Sequence, residues 1–258
     1  MKKALFLSLI FFGSFLSADA LMNAVLSDDR DPKNVLRDDA RNPYETLSFF
    51  KITDEMEVIE LSPGGGWYTE ILANYLYKSG GLIAAHFDED TTSNFLKKIR
   101  KNFEKKMNSN SIYQNVEIVD LSSELSEPNS VDAVLTFRNL HNWLGPMMDN
   151  IFANSYEALK PGGIFGVVEH RAKPGTSLQE MKRTGYVTEQ YAVEEAEKHG
   201  FILFAKSEIN ANSKDTKDYS KGVWTLPPTL RLKEKNKEDY LAIGESDRMT
   251  LLFKKPSN

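Results

Sequence analysis

The stretch from Glu57 to Tyr77, EVIELSPGGGWYTEILANYLY, constrains this chain more than any other. It reads as a short apolar strand (Val58, Ile59, Leu61), a glycine-rich turn (Ser62, Pro63, Gly64, Gly65, Gly66) and an amphipathic helix. That order forms the ligand-binding opening of an open α/β sheet. Glycine lets the backbone approach a ligand closely, and the helix that follows presents free N–H groups. A dinucleotide fingerprint would read G-x-G-x-x-G, and a P-loop would place Gly-Lys-Ser/Thr after the turn; Trp67 and Tyr68 stand there instead. The pattern is acid-x-Ser-x-Gly-x-Gly, carried by Glu60, Ser62, Gly64 and Gly66. Taken alone, it also suits a structural βα turn with no ligand.

The rest of the chain repeats the strand–helix alternation. Apolar runs at 82–87, 116–119, 131–137, 164–168, 201–207 and 249–253 read as further strands. Helical patterns fall at 91–107, 146–159 and 188–199, and Ser79-Gly80-Gly81 closes the first helix as C-terminal glycines do. Lys160-Pro161-Gly162-Gly163 reads as a tight turn returning the chain to the sheet. The basic residues of the 91–107 helix suit a solvated face better than an anionic partner.

At 258 residues, 41% hydrophobic and 27% charged, the chain can bury a sizeable core, and its net charge of −5 argues against a nucleic-acid partner. The first 20 residues stand apart. Lys2 and Lys3 precede an apolar run from Ala4 to Leu16, and Ala18 and Ala20 occupy the −3 and −1 places of an A-x-A site. This is the pattern of a secretory signal peptide, with an uncleaved N-terminal anchor as the alternative. The expected product begins at Leu21 and is exported, periplasmic or secreted. The chain holds 0 cysteines, so disulfides and thiolate chemistry are excluded. Residues 21–50, rich in Asp and Arg, read as an N-terminal helical cap, with a solvated helix held by internal ion pairs as the plainer reading.

Four segments in order resemble class I S-adenosylmethionine (SAM) dependent methyltransferases over about residues 45–255: ELSPGGGWYTE, VDLSSEL, VDAVLTFRNLHNWL and LKPGGIFGVVEHR. More narrowly, the PGGGWYT turn, the Arg/Asp-rich N-terminal segment and His170-Arg171-Ala172 resemble a family of exported methyltransferases. Ser62 departs from the pattern, standing where the first glycine of the motif usually sits. The resemblance implies a Rossmann-like, seven-stranded, mostly parallel sheet with an antiparallel last strand and helices on both faces. It spans residues 51–258, with an insertion at about 209–247 whose aromatic part is expected beside the cleft and whose charged part is expected to be loose.

The resemblance also implies roles. Glu60, Ser62, Gly64 and Gly66 would hold SAM, with Asp88 on the ribose hydroxyls, Asp120 on the adenine amino group and Leu121 against the adenine ring. Asp120 also suits a helix cap or a turn. Arg138 or Arg171 would hold the methionine carboxylate or an anionic substrate group, or simply pair with a nearby acid. His141 and His170 follow the fourth and fifth strands, where a base or orienting group belongs, because imidazole titrates near neutral pH. They could equally hydrogen-bond loop backbone. Histidines with Glu169 or Asp88 could in principle hold a metal, but their spacing matches no ligand pattern, and none is expected. The implied activity is methyl transfer to a small molecule or an envelope component. The alternative is an exported, non-catalytic ligand-binding protein on the same fold, since SAM is made in the cytoplasm.

Overall fold

A computed structural model describes residues 19–257; the expected signal peptide, residues 1–20, lies almost wholly outside them. The chain enters through four short helices: α1 (residues 19–25), α2 (Pro32–Val35), α3 (Asp38–Arg41) and α4 (Pro43–Phe49). The sheet and its helices then alternate: β1 (Glu57–Leu61), α5 (Trp67–Leu76), β2 (Gly81–His86), α6 (Asn94–Met107), β3 (Val116–Asp120) and β4 (Val131–Phe137). They continue through α7 (Leu140–Trp143), α8 (Pro146–Ala158), β5 (Leu159–His170), α9 (Leu178–Thr184), α10 (Glu189–Lys198), β6 (Ile202–Ser207), α11 (Lys237–Ile243) and β7 (Arg248–Lys254).

The seven strands form one sheet in the order β3-β2-β1-β4-β5-β7-β6. β7 runs antiparallel to both β5 and β6, and the other pairs are parallel. This is the expected architecture. The strand order reverses between β1 and β4, which places the ligand crevice beyond their carboxyl ends.

Alternation along each strand splits the core in two. Val58, Ala133, Leu135 and Val168 face one layer with α5 and the N-terminal helices, which contribute Leu21, Val25, Leu47 and Phe50. Ile59, Leu61, Val134 and Phe165 face the other, under α8 and α10. Gly166 makes room for the N-terminal segment: a Cβ there would meet Leu135 at 2.7 Å and Phe50 at 2.9 Å. Gly166→Ala is therefore expected to cost about 1–3 kcal/mol, the usual range for overpacking. A thermal midpoint equal to that of the wild type would show that Phe50 is free to move aside.

Two expectations change. Lys160–Gly163 is not a separate turn but an irregular stretch within β5, where Leu159 pairs with Val131 and Ile164 with Ala133, so that extra residues loop out. The 209–247 insertion is built rather than loose. Its aromatic part makes a 3₁₀ turn at Gly222–Thr225, with Val223 and Trp224 packed on Ala172 and Tyr186. Its charged part ends in α11, whose residues all stay at least partly exposed.

Candidate functional site

The glycine turn sits at the exit of β1 and is held from beneath. Phe87 N–H donates to His86 Nδ1 (2.8 Å), so the ring's proton lies on Nε2 and is donated to Gly64 O (3.1 Å). Lys106 Nζ donates to Gly65 O (3.1 Å). Ser62 adopts φ 51°, and its buried Oγ has no hydrogen-bond partner among the described residues. A Cβ at Gly64 or Gly65 would meet nothing within 4 Å, so both open onto free space. An unspent hydroxyl next to an open glycine turn fits a ligand rich in polar atoms.

Glu60 lies directly behind this turn, fully buried, and accepts from Thr69 Oγ1 at 2.5 Å. Burial pushes its carboxyl up to about 7, against the opposing pull of the Thr69 hydrogen bond and Lys106. The folded protein thus holds this proton more tightly than the unfolded chain, in which the group stays near its model value of 4.5. The contribution to stability is greatest at acid pH and is lost as pH rises from about 4.5 through about 7. Glu60→Gln should therefore gain stability relative to the wild type across that window, by up to about 1.4 kcal/mol per pH unit. A pH-independent difference between the two melting curves would mean that Glu60 is ionised throughout.

The ends of β2 and β3 depart from the expected arrangement. The last residue of β2 is His86, and its ring rather than a carboxylate lies against the glycine turn. Asp88, expected at the ribose, instead accepts from Ser122 N (3.1 Å) and Ser122 Oγ (2.7 Å), tying together the loops after β2 and β3. Asp120 ends β3 and is paired through Oδ1 with Arg100, which also donates to Phe87 O (2.6 Å); Oδ2 has no protein partner among the described residues. Leu121, expected against an adenine ring, turns into the core, and its N–H donates to His86 O (2.8 Å).

The other half of the site lies past β4 and β5. Asn139 Nδ2 reaches Leu61 O and Ser62 O (both 3.2 Å), tying the exit of β4 to the glycine turn. Arg138 is held at φ 64°, a region that costs a non-glycine residue energy and so needs support. That support comes from its own N–H, which donates to Val168 O (2.6 Å).

His141 is the second residue of the short α7, and its Nδ1 lies 3.1 Å from Oε1 of the fully buried Glu169. Glu169 also accepts from His141 N (3.3 Å) and His170 N (2.7 Å). A carboxylate can only accept here, so His141 Nδ1 donates, and any proton exchanged with an acceptor would pass through Nε2. The pairing of Glu169 with His141 was not foreseen, because 28 positions separate the two in the chain; only the acid at the exit of β5 hinted at it.

His170 pairs with Ser246 Oγ (2.5 Å), and its ring stands 5.3 Å from that of His141. Burial, then the charges of His141, Arg138, Arg248 and Arg41, hold the His170 imidazole well below its ordinary value, so it is neutral at pH 7. Arg171 is spent on Glu208 and Asp247, so it is a structural clamp rather than a free anion ligand. His141, Glu169 and His170 bring ligand atoms within 4.8 Å of one another. The arginines beside them repel a cation, which argues against a metal there.

Residues 59–167 match the methyltransferase domain family. The match to this family implies a methyltransferase that uses S-adenosylmethionine as its cofactor. The fold is similar to that of a SAM-dependent methyltransferase from Aquifex aeolicus, with 14% identity, 92% of this chain and 98% of the other covered, and a TM-score of 0.58. It is also similar to the [4+2]-cyclase SpnF, with 15% identity, coverage of 95% and 96%, and a TM-score of 0.61. A third similar structure is a SAM-dependent methyltransferase from Methanosarcina mazei, with 13% identity, coverage of 82% and 98%, and a TM-score of 0.52. No curated protein sequence matches the chain.

Proposed function

We propose that the protein transfers a methyl group from SAM to an oxygen or nitrogen nucleophile on a small-molecule or envelope acceptor outside the cytoplasm. One observation carries this reading. The glycine turn, with its open face and unspent Ser62 hydroxyl, shares the carboxyl edge of the sheet with a buried carboxylate–imidazole pair. The residues present fit the cofactor. The Gly64–Gly65 cradle and Ser62 Oγ would receive its polar atoms, and Asp120 Oδ2 would accept from an amino group.

When bound, SAM supplies an electrophilic methyl group on a sulfonium. The chain's own residues supply the proton transfer. His141 Nε2 takes up the acceptor's proton as the new bond to carbon forms, and Glu169 stabilises the imidazolium that results. The rigid tie from Asn139 to the glycine turn keeps base and cradle in one register, which is how alignment lowers the barrier of an in-line displacement. The export pattern of residues 1–20 supports the location, and it requires that SAM reach that compartment.

The test is isothermal titration of the purified protein with SAM and with S-adenosylhomocysteine. Saturable binding at one site is the expected result. Absence of binding to both would end the methyl-transfer reading.

A further inference from the structure

Four arginines from three distant parts of the chain converge on one carboxylate. Arg37, Arg41, Arg138 and Arg248 all place guanidinium nitrogens within 4.0 Å of Glu245, at 2.7, 3.5, 3.9 and 3.4 Å respectively. Arg41 and Arg248 are 2% and 3% exposed. Arg41 Nη1 and Arg248 Nε are buried with no hydrogen-bond partner among the described residues. The remaining bonds are to neutral groups: Arg248 also donates to Ala40 O, and the Arg41 guanidinium lies 4.5 Å from the Trp67 ring centroid.

This is more positive charge than a structural ion pair needs. A buried charge is tolerated when it is paired and its donors are satisfied. Here one carboxylate faces four guanidinium groups, and two buried N–H donors remain unspent. Burial and the neighbouring arginines push Arg41 down to about 8 and Arg138 down to about 10, so both still carry charge at neutral pH. A cluster of this kind costs the apoprotein stability, and the arrangement persists because the surrounding structure holds it.

The place of the cluster decides what would neutralise it. Arg138 leaves β4, and Arg248 opens β7 in register with His170 of β5. The cluster thus stands over β4, β5 and β7, on the far side of the strand-order reversal from β2 and β3, and His170, the register partner of Arg248, has its ring 5.3 Å from that of His141. A cavity of about 230 Å³ bordered by Glu245, Arg248, Asn42 and Asn210 adjoins it, with exposed Asp39 also on its wall.

We infer that this arginine cage binds an anionic group, a carboxylate or phosphate, carried by the methyl acceptor. The inference rests on the methyl-transfer reading for the word acceptor but not for the anion site itself. The guanidinium forks suit planar or tetrahedral oxyanions bidentately. An acceptor anchored there would present its nucleophile toward His141, and an uncharged analogue would bind poorly.

The test uses inorganic phosphate as the probe, in a low-salt buffer free of other multivalent anions. Phosphate should raise the thermal midpoint of the wild type saturably. Arg41→Gln and the more exposed Arg37→Gln should each weaken this by about tenfold or more, the usual loss when a charge-assisted bond to an oxyanion is removed. Without phosphate, Arg41→Gln should melt higher than the wild type by about 2–4 °C, since it relieves like-charge crowding. SAM should bind the wild type equally well with and without saturating phosphate.

Phosphate binding that is absent, or equal in both variants, would overturn the anion site. Competition between phosphate and SAM would overturn the acceptor assignment, because the cage would then be holding the cofactor's own carboxylate. Loss of SAM binding alone would count against the methyl-transfer reading and leave the Arg-dependent phosphate response as expected here.

Discussion

Gly64→Val is expected to weaken SAM binding by about a hundredfold or more, roughly 2.7 kcal/mol, while leaving the protein folded. Gly64 sits at φ +60°, and an added Cβ would meet nothing within 4 Å. The valine therefore clashes with no protein group. It pays a backbone penalty of about 1–2 kcal/mol for the left-handed conformation, and its branches occupy the space that the cradle leaves open. Gly64→Ala separates the two effects, since it shares the backbone penalty but fills less of the space. The measurements are a calorimetric titration and a melting curve for each variant. A folded Gly64→Val protein that binds SAM like the wild type would place the cofactor elsewhere.

The second large effect concerns the base. His141→Ala should lower the rate of methyl transfer by about 10²–10⁴, the usual worth of a positioned proton acceptor. SAM affinity should be unchanged, because His141 belongs to the half of the site past β4. Glu169→Gln is a sharper probe. The amide keeps the size of the side chain but turns one acceptor into a donor, opposite N–H groups of His141 and His170. Relief of that clash favours the other His141 tautomer, with its proton on Nε2, where it can no longer act as a base. The readout is single-turnover transfer of a labelled methyl group. Equal rates in wild type and His141→Ala would assign the proton to another group or show that the acceptor needs no base.

The elements that repeat a simple period were legible in the sequence. Each strand from β1 to β7 declared itself by apolar alternation or an apolar run. The glycine turn declared itself as a βα turn through Gly64 and Gly66 after an apolar strand, and its ligand came only from the resemblance of the segments that follow. The end of β2 was harder, since Ser79-Gly80-Gly81 lengthens the connection and His86, not an acid, closes the strand against Gly64. The direction of the Leu121 N–H was not legible, because a residue's position after a strand does not say which way its N–H points, and here His86 O takes it. The Glu169–His141 pair and the arginine cage were invisible for a plainer reason. Arg37 and Glu245 are 208 positions apart, and only tertiary contact brings them together. Local pattern reports on neighbours along the chain, and these groups have none.

The last strand has a consequence for the order of assembly. Glu245, Ser246 and Arg248 lie just before or at the start of β7, and β7 inserts between β5 and β6 rather than adding to an edge. The glycine turn and the His141–Glu169 pair draw on residues that all precede these in the chain. A nascent chain can pair six strands' worth of sequence yet still lack one carboxylate and one arginine of the cage. β7 fills the place between β5 and β6, so the arginine cluster is complete only once the final segment has joined the sheet. Loss of the final segment would take Glu245 and Arg248 out of the cluster while every residue of the glycine turn stayed in the chain.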